Sequence, residues 1–437
     1  MVRRIAILLV MSGIAACMPV ADGGPDRPYV AGSQPGYPQL GAALPAGHTR
    51  YENASLAALF VRLTHDLEWG ARRPNLVRYE QPVSVGVTGP TAVQYLPFLD
   101  RFLGELRAQT GISIARTPAQ HNLWIHFVPG QEFRRKLPQH FCVVAPGRLG
   151  WDEFRRNPVR FGTRAYERLT MLDAMSVYIP DNLEPFLVRL CLIEETVQAL
   201  GPANDLYGLG PSIFNDDAAH IWPTKLDYLM LRVLYAREMR TGMDRRETMS
   251  RARRVLARLN PAGQSAPALP PLRTQAFREW SELVRRRDVA SRREALALAR
   301  TKAPASAHHC HSLVALARLL RDQPARVIEV LERAIPICTA AHGPDDIRLE
   351  LITLERARAT FKSGRPELAY KMTERLESSL AAHGQDERLL SLYDLQAASL
   401  QAIQQGTKSF EARRRAAEWG AYSLGRDHTD VRRLHSR

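Results

Sequence analysis

Apolar residues at Phe186, Leu190, Ile193, Val197 and Leu200 recur at the three-and-four spacing of one helical face. Leu187, Cys191, Glu194, Gln198 and Gly201 make the face beside it. A helix apolar almost all round is a buried one. Asp181 or Asn182 can cap its start, Pro185 suits its first turn, and Gly201-Pro202 stops it. Glu194 and Gln198 therefore lie side by side on a buried helix. Each needs a partner there, or costs about 1–3 kcal/mol.

Upstream the period changes. Residues 54–69 pattern as a helix, and 82–87 as a strand with Val83, Val85 and Val87 on one side and Ser84 and Gly86 on the other. Val93, Leu96, Leu99, Phe102, Leu103 and Leu106 predict a helix over 92–110, started or kinked at Pro97. Strands are expected over 112–115, 122–128 and 175–179. His121 and His126 become candidate polar groups near a cleft, though a lone His is more often structural. Residues 244–259 form a basic helix, most simply a solvated face. Pro261, Pro267, Pro270 and Pro271 mark a linker over 261–272. An α+β domain thus fills 51–260.

The remainder, 273–437, repeats. Ala341-His342-Gly343-Pro344-Asp345-Asp346 returns as Ala382-His383-Gly384-Gln385-Asp386-Glu387, and Gly343, Gly384 and Gly425 recur every 41 residues. A fixed period of this size signals stacked supersecondary units. Helices are expected over 347–361 and 389–403, each followed by a turn and a second helix, over 367–381 and 410–423. The pattern is similar to the longer tetratricopeptide repeats, an all-α array. That likeness implies a groove lined by the first helix of each unit, here carrying Arg318, Arg356, Arg358 and Arg388 among small residues such as Ala315, Ala317, Ala357 and Ala359. Planar Arg forks suit carboxylates, so the expected partner is an acidic peptide or protein segment.

The central stretch, 191–217, carries a second resemblance. Zincin metalloproteases place H-E-x-x-H on a helix, where two imidazoles hold Zn²⁺ and the Glu activates water. Metzincins add a glycine, a third ligand and a tight turn beneath the metal. Glu194 and Gln198 stand at the two His positions, Glu195 at the catalytic Glu and Gly201 at the glycine. Asn204, or Asp205 after a one-residue slip, stands at the third ligand, and Ser212-Ile213-Phe214-Asn215 resembles the turn. Residues 226–235 look like the helix that closes such domains. The EE-x-x-Q-x-LG and SIFNDD signatures also resemble a family of bacterial lipoproteins catalogued as domain of unknown function 2927, over roughly 55–260. The fold implied is a zincin-like α+β domain with 122–127 as its edge strand, its two metal-binding histidines replaced.

Composition narrows the setting. The formal net charge is +15 and the pI about 10.0. Lysine supplies only Lys136, Lys225, Lys302, Lys362, Lys371 and Lys408 of 60 basic residues, a bias toward Arg rather than a nucleic-acid motif. Anionic lipid or envelope polymer suits such a charge better than DNA or RNA. Residues 1–17 read as a signal peptide: Arg3 and Arg4, a short apolar run, then Ile14-Ala15-Ala16-Cys17 as a lipobox with Cys17 lipidated. Residues 18–50 follow as a Pro- and Gly-rich tether. The lipid would hold the protein to a membrane, the outer one by preference, facing the periplasm.

Of five cysteines, four then remain, and export to an oxidising compartment implies two disulfides. Domain logic pairs Cys142 with Cys191 and Cys310 with Cys338. His308-His309-Cys310-His311 could be a metal cluster, but the disulfide accounts for the cysteine. No P-loop, dinucleotide fingerprint, nucleophile elbow or C-x-x-C is present, and no cofactor is expected.

Together these readings describe a lipid-anchored envelope protein with a non-catalytic zincin-like domain and a protein-binding repeat array. Two alternatives stand beside it. One is a hydrolase acting on peptide or cell wall through Glu195, with a metal held by Glu194, Gln198 and Asn204 or Asp205, oxygen ligands suited to Ca²⁺ or Mg²⁺. The other makes Glu194, Glu195 and Gln198 a buried hydrogen-bonded network fixing the helix against the 212–217 turn.

Overall fold

The computed structural model describes residues 51–437 except 68, 69, 207–210, 216–218, 267, 269–278, 281, 285, 287, 303–306, 436 and 437. The signal peptide, the tether, Cys17 and linker residues 267 and 269–272 lie outside the described residues.

Five strands form one mixed sheet: β1 (Val83–Thr88), β2 (Ile114–Arg116), β3 (Leu123–Val128), β4 (Val143–Pro146) and β5 (Met175–Pro180), in the order β2-β1-β3-β5-β4. The first four in that order run parallel, and β4 closes the edge antiparallel to β5. The stretch expected at the edge is instead the centre. Residues Leu123 to His126 pair with both β1 and β5. The edges belong to β2 and to β4, the latter four residues ending in proline, a run too short to announce itself by alternation.

Period-two alternation sorts the two sheet faces. Val85, Leu123, Ile125 and Val177 enter the main core, with helices α1 (Asn53–His65), α2 (Leu96–Thr110) and α3 (Pro185–Ala199). Pro97 lies in the first turn of α2, so it starts that helix and does not kink it. Helix α1 ends at His65, short of the expected Trp69, where Asp66 turns extended and bridges to Arg72. Two further long helices belong to the domain: α4 (Lys225–Leu234) and the basic α5 (Arg245–Leu259), whose Ala252, Val255 and Leu256 reach the same core.

Both expected disulfides are present, Cys142–Cys191 and Cys310–Cys338. The first ties the segment leading into β4 to the middle of α3.

Among the described residues the second half carries helices and no strand. It comprises α6 (Val289–Lys302), α7 (Ala307–Leu319), α8 (Pro324–His342), α9 (Ile347–Lys362), α10 (Pro366–Thr373), α11 (Leu376–Ala382), α12 (Asp386–Ala402), α13 (Gly406–Ser423) and α14 (Thr429–His435). The Cys310–Cys338 bridge joins the start of α7 to the end of α8, making them an antiparallel pair. Gly343, Gly384 and Gly425 each adopt positive φ, 97°, 66° and 95°. Side chains strain in that region, which explains the periodic glycine. One expected helix, 367–381, is broken at Glu374-Arg375 into α10 and α11.

Candidate functional site

The site grows from the two ends of α3. At its start, neither Asp181 nor Asn182 caps the helix; Glu184 holds the cap position. Asp181 Oδ1 accepts from the Gly130 N–H (3.0 Å) and Asn182 Oδ1 from Arg134 (3.0 Å), so both tie β5 to the short helix Gly130–Lys136. At the other end Gly201 has φ +132°, and a Cβ there would meet the Val77 carbonyl oxygen at 2.8 Å. Its own carbonyl accepts from the buried Arg73 guanidinium (2.7 Å), and the next pinned residue, Ala203, donates its N–H to Leu63 O (3.0 Å).

The expected metal ligands divide here. Gln198 Nε2 donates to Asp205 Oδ1 at 3.2 Å. Asn204 turns away and donates to the Arg62 carbonyl at 3.2 Å. Of the two candidates for the third position, Asp205 is thus the one brought to Gln198. Glu195, Gln198 and Asn204 are buried and Glu194 is half-buried. Among the described residues no three His, Cys, Asp or Glu side chains are grouped to hold a metal ion.

The 212–215 turn has its own clamp, which the sequence reading did not assign. Ile213–Asn215 is a short 3-10 turn. Fully buried Asp227 accepts from Ser212 Oγ, from Ile213 N (3.1 Å) and from Thr224 N (2.7 Å) and Oγ1 (2.9 Å). Thr224 and Asp227 form the capping box of α4, so one carboxylate both starts a helix and fixes the turn. Burial raises the Asp227 pKa to about 6 against these hydrogen bonds, which favour the charged form. The [ST]-x-x-[DE] spacing from Thr224 to Asp227 is the signal that could have revealed it.

His126 and His121 are not at this site. The pleat puts Trp124 and His126 on the sheet face away from α3, and His121 packs over Gly86, on that same outer face. His126 Nδ1 bonds Thr88 Oγ1 (2.8 Å), while its ring stacks on Trp124 and Tyr178. Burial lowers its pKa to about 4, a structural histidine held neutral.

The helical half is seated directly on α3 and the turn. Arg189, buried, pairs with Asp386, donates to Tyr422 O (3.2 Å) and lies 3.9 Å over the Tyr422 ring. Gln385 donates to Ala219 O (2.8 Å), and Ala219 joins the core of Ile347, Leu351 and Leu389. His220 lies 3.8 Å from Asp346. Burial pushes the Asp346 carboxyl up, but Arg348, His220 and His342 prevail and hold it below the usual range. The lone arginine on an apolar helix was the overlooked sequence signal for this contact.

A cavity remains at the seam, about 690 Å³ with the open space at its mouth included. Asn215 and Ala219 form one wall; α7, α9 and the start of α12 form the others. Arg318, Arg348 and Arg388 line it; Arg348 was not among the expected groove residues. Arg356 and Arg358 do not line it. They pair with Glu332 (3.8 Å) and Glu355 (3.1 Å).

Residues 53–254 match the family model described as "Protein of unknown function (DUF2927)". The match supports the family likeness read from the sequence and spans the α+β domain from α1 almost to the end of α5. No curated protein and no solved structure matches this chain.

Proposed function

We propose that the chain is a cell-envelope lipoprotein, anchored through Cys17, that works by binding a protein or peptide rather than by hydrolysis. The carrying observation is the Gln198–Asp205 hydrogen bond. In a zincin-like domain these are metal-ligand positions, and zincin chemistry rests on neutral imidazoles there. Here a carboxamide nitrogen faces a carboxylate, and the pair ties α3 to the strap that follows it. A Ca²⁺- or Mg²⁺-dependent hydrolase would need Glu194, Gln198 and Asp205 to turn oxygens toward one ion, and Gln198 presents its N–H instead.

Sheet order supports the zincin-like reading, with its antiparallel edge strand ahead of the central helix, and the 41-residue glycine period supports tetratricopeptide-like units. Two disulfides suit an oxidising compartment. Among the described residues no helix is long and apolar enough to cross a membrane, leaving anchorage to the lipid.

Metal analysis and peptidase assay of the purified protein test the choice. Zinc well below one per chain and no peptidase activity are expected, with Glu195→Gln altering stability alone. One zinc per chain with peptide cleavage abolished by Glu195→Gln would establish the hydrolase. Membrane fractionation tests the anchor: Cys17→Ser should move the protein to the soluble fraction, and continued sedimentation after a salt wash would refute lipidation.

A further inference from the structure

The charges of the basic helix α5 are sorted around its axis. Thr248, Ala252, Val255 and Leu256 are buried. Opposite them, at helical spacing, lie Arg246, Ser250, Arg253, Arg254 and Ala257, with all three arginines exposed. The flanking arginines have acidic partners: Arg245 with Asp66 (2.6 Å), Arg251 with Glu247 (2.8 Å) and Arg258 with Glu238 (2.7 Å). Among the described residues the three outward arginines form no ion pair; Arg254 donates to Ser250 Oγ (2.9 Å). The other arginine run, 413–415 on α13, is engaged in place: Arg413 donates to Gln401 (2.6 Å), Arg414 pairs with Glu418 (2.6 Å) and Arg415 with Glu377 (3.1 Å). The outward face of α5 is thus a stripe of uncompensated positive charge, roughly 16 Å long. It lies beside the point where the chain enters the fold. Asn53, the first residue of α1, and Asn260, at the end of α5, exchange two hydrogen bonds of 2.9 Å. The segment read as a tether therefore joins the fold at that end of α5.

We propose that the Arg246, Arg253 and Arg254 face of α5 rests on an anionic bilayer surface, its guanidinium groups against lipid phosphates. The inference rests on the lipid-anchored reading above and adds a second contact between the protein and the membrane.

Three features select this occupant. Residues 18–50, as a flexible chain, reach about 30 Å. A lipid on Cys17 keeps this end of α5 within that distance of the head groups, an effective concentration that a soluble polyanion does not share. The apolar residues of α5 are committed to the core, so the helix lies on the surface without inserting and its hold is electrostatic. Phosphate oxygens match the planar guanidinium fork, and a basic patch beside a lipid chain holds a protein more firmly than either alone. The helical half is seated on α3 and the 219–220 segment and leaves the stripe exposed.

Vesicle sedimentation of residues 18–437, produced without signal peptide or lipid, tests this. Vesicles one third phosphatidylglycerol in phosphatidylcholine should bind at least tenfold more protein than phosphatidylcholine alone, with binding falling as salt rises. Arg253→Gln alone, at an exposed position, should lower binding about fivefold, the effect of one arginine at an anionic surface. Arg246→Gln, Arg253→Gln and Arg254→Gln combined should abolish the preference. Arg413→Gln, Arg414→Gln and Arg415→Gln combined remove the same charge from α13 and should keep it. No preference for anionic vesicles, equal losses in the two triple variants, or an unchanged preference in the α5 variants overturns the proposal. So does displacement by millimolar inorganic phosphate at constant ionic strength, or retention on soluble polyglutamate as strong as on vesicles. Either would make the face a site for free anions or an acidic chain. Fractionation of Cys17→Ser reads the lipid separately, so the anchor and the arginine face can fail independently.

Discussion

At the residue scale, one position carries more of the site than its neighbours. Gly201 sits where a methyl group would strike the Val77 carbonyl, in a φ range that other residues avoid. Gly201→Ala should cost about 1–3 kcal/mol, in line with other strained backbone positions, measured as a lower urea midpoint. Histidines set the response to acid. His65 and His126 are each lowered to about 4, chiefly by burial. Between pH 6.5 and 4 the unfolded chain binds protons that the folded chain refuses, so stability falls as pH falls through that window. Asp227 opposes this: raised to about 6, it keeps a proton when folded that the unfolded carboxyl has lost above about 4, so its contribution shrinks as pH rises toward 6. With each pKa unit worth about 1.4 kcal/mol, two histidines outweigh one aspartate, and the urea midpoint should drop between pH 7 and pH 4.5. His126→Phe keeps the stacking and removes the proton site, so its drop should be smaller; an equal drop would show that His126 does not titrate on unfolding.

At the element scale, α3 is held from three sides: by the disulfide at Cys191, by Arg189 and by the Gly201 strap. Closing the 49-residue loop from Cys142 to Cys191 stabilises by about 4 kcal/mol in the chain-entropy picture. The double variant Cys142→Ser with Cys191→Ser should lose much of that, and amide exchange should quicken across α3 first. Uniform acceleration over the whole domain would mean the bridge does not act on that helix. Much of this element was legible beforehand, because a strong three-and-four pattern and a Gly-Pro stop mark the body and end of a helix. Its start was misread because Asp181 and Asn182 are good caps in any sequence. Only the packing of the 130–136 helix against β5 recruits their oxygens elsewhere.

For the whole molecule, the decisive contact is Arg189 with Asp386 and Tyr422. A buried ion pair is a poor source of net stability, yet removing one partner leaves the other charge buried and typically costs about 3–5 kcal/mol. Arg189→Ala should therefore loosen the seat of the helices on α3. Small-angle scattering should show a larger radius of gyration, and proteolysis within 261–272 should become faster. An unchanged radius and cleavage rate would mean that the Ala219 core alone holds the halves together.

Hydrophobic period, glycine spacing and the placement of the cysteines by domain were enough to determine an α+β domain followed by paired helices, the central helix and both disulfides. These are local or near-local quantities, set by which residues share a face and how far the chain runs between turns. Strand order, the switch of Leu123–Val128 from edge to centre, and the placement of His126 on the far face were decided only by tertiary pairing, since a strand's own pattern does not say how many neighbours it has. The same holds for the site. Arg318 and Arg388 could be picked out as basic residues on inner helices. That Arg348 joins them, that Arg356 and Arg358 are spent on nearby glutamates, and that Asn215 closes the cavity from the other half depend on how two distant segments dock. No periodicity along the chain encodes that.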